Sequence, residues 1–186
     1  MHELRTTDAF VMNRYPHGES NFTYKLLTEE FGLLYAHGQG VRELKSRNKY
    51  ALKTGQLLEV TLVRGREVWR ITGAVGKEGE HALGSLGKRR VLHTTGKLLA
   101  PEDGVKGLFK VLRQYAMHGN ENEDIAEALV MLRVMDKLGF VARPLEEQVI
   151  AELLETVLLD AEVFRRAEEN KTKLVARVNS ALREAL

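Results

Sequence analysis

Between Gly38 and Lys53 the chain reads GQGVRELKSRNKYALK, which sets Arg42, Lys45, Arg47, Lys49 and Lys53 against one acid, Glu43. Cations this close repel one another, and a long connection is costly to order unless an anion outside the fold offsets that cost. The chemistry open to these side chains is phosphate capture. Each neutralised phosphate releases condensed counterion, which gives affinity without sequence preference. Ser46 could donate to a phosphate oxygen, and Tyr50, set among the cations, could stack on a base. The plain alternatives are a solvated basic loop, a serine that satisfies its own turn, and glycines 38 and 40 acting as hinges.

Other chemistries find no support. His2, His17, His37, His81, His93 and His118 include no i,i+4 pair and no HExxH spacing, so no metal site is expected. The chain has no cysteine, which excludes disulfides, thiolate metal sites and a cysteine nucleophile. It has no GxxxxGK[ST] loop, no serine elbow and no carboxylate pair distinct from helix-surface acids. An enzyme is not expected, and neither is a cofactor.

The 186 residues are 44% hydrophobic and 29% charged, the composition of an ordinary globular protein. The net charge of +2 becomes informative once divided. Residues 1–79 hold twelve Lys/Arg against nine Asp/Glu, residues 80–97 four against one, and residues 98–186 twelve against sixteen. That change of sign points to two bodies with different surfaces. No run is long enough to span a bilayer, and the N-terminus lacks the pattern of a signal peptide, so a cytoplasmic protein is expected.

The elements that must position the basic segment are short and strand-like. Residues 6–14 lean to β-structure, and residues 15–20 (YPHGES) read as a turn. In residues 21–28 Phe22, Tyr24 and Leu26 alternate with Thr23 and Lys25. Residues 29–32 form a hairpin connection to a strand over 33–37. After the basic segment, strands are expected over 56–63 and 68–75, joined by Arg64 to Glu67. Strands in this layout, with a long connection between the third and fourth, suit the five-stranded Greek-key barrel called the OB-fold.

Beyond Gly79 the apolar period becomes helical. Residues 83–99 are helical in part, Pro101-Glu102-Asp103 reads as a helix start, and Asn122 as the N-cap of a helix that Gly139 stops. Further helices are expected over 145–159 and, as one long element, over 160–186.

Residues 15–20 (YPHGES), 27–32 (LTEEFG) and 38–47 (GQGVRELKSR) come in an order that resembles the bacterial recombination mediator RecO family. Residues 131–141 (MLRVMDKLGFV) are similar to that family's Leu-Arg-x-Leu-x-x-Leu-Gly-Tyr helix end. The resemblance covers most of residues 6–76 and returns over about 124–144. It implies an OB-fold followed by a helical domain, and non-enzymatic work. That work is binding single- and double-stranded DNA, annealing strands, and engaging RecR and the C-terminal tail of single-stranded-DNA-binding protein so that recombinase can load. Many members carry a four-cysteine zinc site. With no cysteine here, a metal role is not carried over, and the resemblance does not place residues 145–186.

The expected architecture is therefore α+β: an OB-fold DNA-binding domain over 1–79 and a helical, partner-binding domain without zinc over 80–186. Arg64, Arg66 and Arg70 beside the last hairpin, with Lys88, Arg89 and Arg90 at the start of the helical part, could extend one basic track. They could equally be surface charges that discourage edge pairing. Among the aromatics, Phe22, Tyr24, Phe31, Tyr35 and Trp69 are mostly expected in the core. In the helical part Leu129 and Leu132, rimmed by Arg133 and Lys137, could form a groove for an acidic-hydrophobic peptide, or could simply be core. Rival readings are an RNA-binding OB module and an adaptor whose basic loop engages an acidic protein.

Overall fold

Strands β1 (Leu4–His17), β2 (Asn21–Thr28), β3 (Gly32–Gly38), β4 (Leu57–Arg64) and β5 (Trp69–Gly76) close into a barrel in the order β1-β2-β3-β5-β4. The computed structural model describes residues 4–19, 21–38, 52–65, 68–77, 83–102, 104–118, 122–141, 148–156 and 159–186. One long strand makes the closure possible. The first half of β1 pairs antiparallel with β4, from Leu4↔Val63 to Phe10↔Leu57, and the second half with β2, from Ala9↔Thr28 to His17↔Asn21. A register shift between Val11 and Asn13 marks where β1 bends from one partner to the other. Strands β3 and β5 close the ring in parallel, Ala36↔Trp69 to Gly38↔Ile71. Each strand of this ring pairs with two neighbours.

Alternation then decides what lies inside. Tyr24 and Leu26 of β2, Leu34 and Ala36 of β3, and Leu58, Val60 and Leu62 of β4 are fully or almost fully buried. Strand β1 runs three residues beyond the expected boundary, because Tyr15, Pro16 and His17 still pair with Thr23, Phe22 and Asn21. The turn is made by Gly18, with φ +66°, and Glu19.

The described residues fall into two compact units, one of residues 1–84 with 99–104 and one of 85–98 with 105–186. The segment 99–104 joins the barrel through Leu99, which is buried, and through the Glu102 amide, which donates to the Leu33 carbonyl at 2.6 Å. Pro101 and Glu102 are accordingly not a helix start, and Asp103 lies outside the described residues. Glu102 takes a left-handed φ of +66°, and the helix begins at Leu108 after Gly107.

The second unit consists of α1 (Leu86–Leu98), α2 (Leu108–Met117), α3 (Glu123–Lys137), α4 (Gln148–Glu155), α5 (Ala161–Glu169) and α6 (Lys171–Ala185). Helix α3 is its core and packs against each of the others. It is buried on nearly all sides, including Leu129, Leu132, Arg133 and Met135. Asn122 stands at its cap position in a left-handed conformation, φ +52°, and makes no side-chain cap bond. The expected long helix over 160–186 is two helices. The Asp160 side chain caps α5 by accepting from the Val163 amide at 2.9 Å, and the chain breaks at Asn170.

Candidate nucleic-acid interface

Because Tyr24, Leu26, Leu34 and Ala36 point into the barrel, their alternates form its outer face. The strand registers arrange that face in rows. Asn13, Lys25 and Tyr35 lie across β1, β2 and β3 in one row; Tyr15, Thr23, His37 and Arg70 lie across β1, β2, β3 and β5 in the next. His17 and Asn21 begin a third. Tyr15 and Tyr35 are 42% and 37% exposed, an unusual amount for rings on a barrel wall.

The cations and rings on this face touch one another. Lys25 Nζ lies over the Tyr35 ring at 5.7 Å, and the His17 and His37 rings meet at 4.6 Å with their planes tilted by 33°. Burial, then the neighbouring His17 and Arg70, hold the His37 imidazole below its ordinary pKa. Exposed aromatic faces set among cations are what a nucleic-acid strand requires: stacking surfaces for bases and positive charge along the backbone. The outer face of strands 2 and 3 is also where OB barrels take oligonucleotides.

The sequence-proposed cations fare differently. Arg42, Lys45, Ser46, Arg47, Lys49, Tyr50 and Arg66 lie outside the described residues. Arg70 falls on the outer face as the partner of His37, and Lys53 is exposed before β4. Arg64 is exposed, lies over the Trp69 ring at 5.5 Å and faces Glu102 at 3.5 Å. Trp69 itself is half-buried against the barrel core and 5.4 Å from the Phe31 ring. Tyr15, His17 and Lys25 were passed over in the sequence. The alternation of β2 pointed to Lys25, but reading residues 15–17 as a turn hid the other two.

In the helical unit Lys88 does not belong to a basic track. It is 3% exposed, and its ammonium donates to the carbonyls of His118 at 2.6 Å and Ala116 at 3.4 Å. Arg90 is engaged with Glu127, its Nε at 2.7 Å from one carboxylate oxygen, while Arg89 is exposed. The proposed peptide groove is likewise overturned. Leu129 and Leu132 are fully buried, and Arg133 is 3% exposed with Nε donating to the Leu153 carbonyl at 3.0 Å. Lys137 is exposed and 3.9 Å from Asp136. These positions are core because α3 packs against each of the other helices of the unit. An open groove lies instead between α1, α3 and α6, over Met131, Val175 and Val178. Its rim sets Asp124 and Glu127 beside Arg90, a poor match for an acidic peptide.

No group of three or more potential metal ligands occurs among the described residues, and none of their helices is long and apolar enough to cross a membrane. No curated protein matches the chain. Residues 1–78 match the family described as Recombination protein O N terminal. The match spans every strand of the barrel and the wall that carries Tyr15, Lys25, Tyr35, His37 and Arg70. The barrel of residues 1–78 is thus similar to the N-terminal domain of recombination protein O.

Proposed function

We propose that this protein is a RecO-like recombination mediator that binds single- and double-stranded DNA, anneals complementary strands and assists recombinase loading, with no bond-making chemistry of its own. The observation that carries this reading is an outer barrel face with two exposed tyrosines and the cations Lys25 and Arg70, on a domain similar to the N-terminal domain of recombination protein O. The basic segment that follows Gly38 in sequence adds Arg42, Lys45, Arg47, Lys49 and Lys53 as further phosphate contacts. Bases stack on the wall, the cations track the backbone, and affinity is set by charge rather than sequence. Strands held with their bases accessible can find complements. Its setting is the cytoplasm, at the nucleoid.

RecR and the C-terminal tail of single-stranded-DNA-binding protein are the protein partners in this reading. They dock away from Leu129, Leu132 and Arg133, which the helical core encloses.

The test is a salt series of binding to single-stranded DNA, duplex DNA and matched RNA. It compares wild type with Lys25→Ala/Arg70→Ala and with an alanine variant of Arg42, Lys45, Arg47 and Lys49. DNA binding should fall steeply with salt, and the slope should flatten by about one unit for each phosphate contact removed. Absence of DNA binding at low salt would sink the reading. A preference for RNA would favour an RNA-binding module, and binding only to acidic protein tails would favour an adaptor. Annealing rates of complementary oligonucleotides then check the mediator activity.

A further inference from the structure

We propose that His17, His37 and Arg70 form a phosphate-diester subsite on the outer barrel wall that takes up a proton when a DNA strand occupies it. This rests on the DNA-binding reading of the same wall and adds its regulation.

The two imidazoles sit on different strands, β1 and β3, on either side of β2, and their rings meet at 4.6 Å. His37 stands in register with Arg70 of β5 on one side and Thr23 of β2 on the other. Among the described residues, the groups facing this cluster can be named strand by strand. On β1 they are Tyr15 and His17, and on β2 Asn21, Thr23 and, one row away, Lys25. On β3 they are Tyr35 and His37, and on β5 Arg70, beside which β4 places Val63. None of these is an acid. The acid nearest in sequence is Glu19, in the turn that follows His17.

The electrostatic consequence is direct. Charge on both imidazoles in ring contact beside a guanidinium is disfavoured unless an anion lies among them. Burial is the first cause of the depressed pKa of His37, and repulsion from His17 and Arg70 adds to it. A phosphate placed over the cluster supplies the missing negative charge and favours the protonated ring. The sign follows by linkage. Binding raises the imidazole pKa, so binding takes up a proton and tightens as pH falls through the histidine range. Above that range His37 is neutral and Arg70 supplies the charge that meets the phosphate.

The experiment uses the full chain and a labelled oligothymidylate, whose bases do not titrate between mildly acidic and mildly alkaline pH. Kd is measured at fixed ionic strength at about pH 5.5 and about pH 8, within which the histidine range falls. Wild type should bind about tenfold tighter at the lower pH, the gain expected for a proton whose pKa rises by about one unit on binding. The salt slope should also steepen by about one unit there, because one more phosphate is neutralised. His17→Gln/His37→Gln should lose the pH-dependent gain, while His93→Gln on α1 should keep it. A nuclear magnetic resonance titration of the His37 ring, with and without the oligonucleotide, should show its pKa moving up. Oligonucleotide binding with a pH profile unchanged in the double variant, or a His37 pKa that does not move, overturns the subsite and leaves the DNA-binding reading standing. No binding at either pH overturns both.

Discussion

Lys88 Nζ lies 2.6 Å from the carbonyl oxygen of His118, so a lysine that reads as a surface cation closes the end of α2 from inside the helical unit. Its ammonium reaches the Ala116 carbonyl as well and lies 5.7 Å over the Tyr115 ring. Carbonyls at a helix C-terminus have no partner within the helix, and a cation there also meets the negative end of the macrodipole. Burial lowers the lysine's pKa, and these contacts hold the ammonium in place. Lys88→Met, which keeps the volume but removes the donor, should therefore destabilise the protein by about 1–3 kcal/mol. Urea unfolding followed by circular dichroism reads this loss, and DNA affinity at matched salt should not change.

Arg133 makes a second such case. Its guanidinium is buried in α3, bonded through Nε to the Leu153 carbonyl, and burial lowers its pKa to about 10 even with Asp160 nearby. Arg133→Ala leaves both a cavity and an unpaired carbonyl, so a loss of about 2–5 kcal/mol is expected in thermal or urea unfolding. A role on a peptide-binding surface would instead show as lost partner affinity with stability unchanged.

The N-terminus of α1 predicts an acid sensitivity. Glu123 Oε1 accepts from the Gly87 amide at 3.1 Å, and the Ser85 hydroxyl, more strongly than that amide, holds the carboxyl below its ordinary range. A carboxyl depressed in the folded state stabilises fully above its unfolded value of about 4.3, and that stability is lost as pH falls through the lower folded value. Glu123→Gln should lower stability near neutral pH and flatten its dependence on pH below about 4.3, as measured by urea midpoints across an acid series.

Gly55 is needed where the barrel receives Leu83. Its φ is +87°, its amide donates to Val11, its carbonyl accepts from the Leu83 amide at 2.8 Å, and a Cβ would come within 2.7 Å of the Leu83 carbonyl oxygen. Gly55→Ala combines a left-handed backbone with a backbone clash, so a loss of about 2 kcal/mol or more is expected in denaturant unfolding.

Two tyrosines on neighbouring strands should respond in opposite ways. Tyr35 is exposed on the outer wall, so Tyr35→Ala should weaken single-strand binding by about 1–3 kcal/mol if one base stacks there, and Tyr35→Phe should restore it. Tyr24 is fully buried, and its hydroxyl has no hydrogen-bond partner among the described residues. Tyr24→Phe should leave DNA binding intact and change stability by about 0 to 1 kcal/mol in the favourable direction. Fluorescence anisotropy and urea unfolding separate the two effects.

The barrel was legible in the chain because alternation is a local signal. Tyr24, Leu26, Leu58, Val60 and Leu62 announce buried positions by period alone, and turn residues separate the strands. The basic character of the N-terminal half was equally plain, since charge is a property of residue type. Tertiary structure alone decided which charges face outward. Lys25 and Lys88 look alike as residues, yet one stands on an exposed wall over Tyr35 and the other is enclosed beneath α2. The same holds for His17 and His37, twenty positions apart in sequence and in ring contact only because β1 and β3 flank β2. Helical periodicity marked Leu129 and Leu132 as one stripe, but whether a stripe is core or groove depends on neighbours that no local pattern records. Residue type and period determine what a segment can bury or bind; long-range packing determines which of those capacities solvent, and a ligand, can reach.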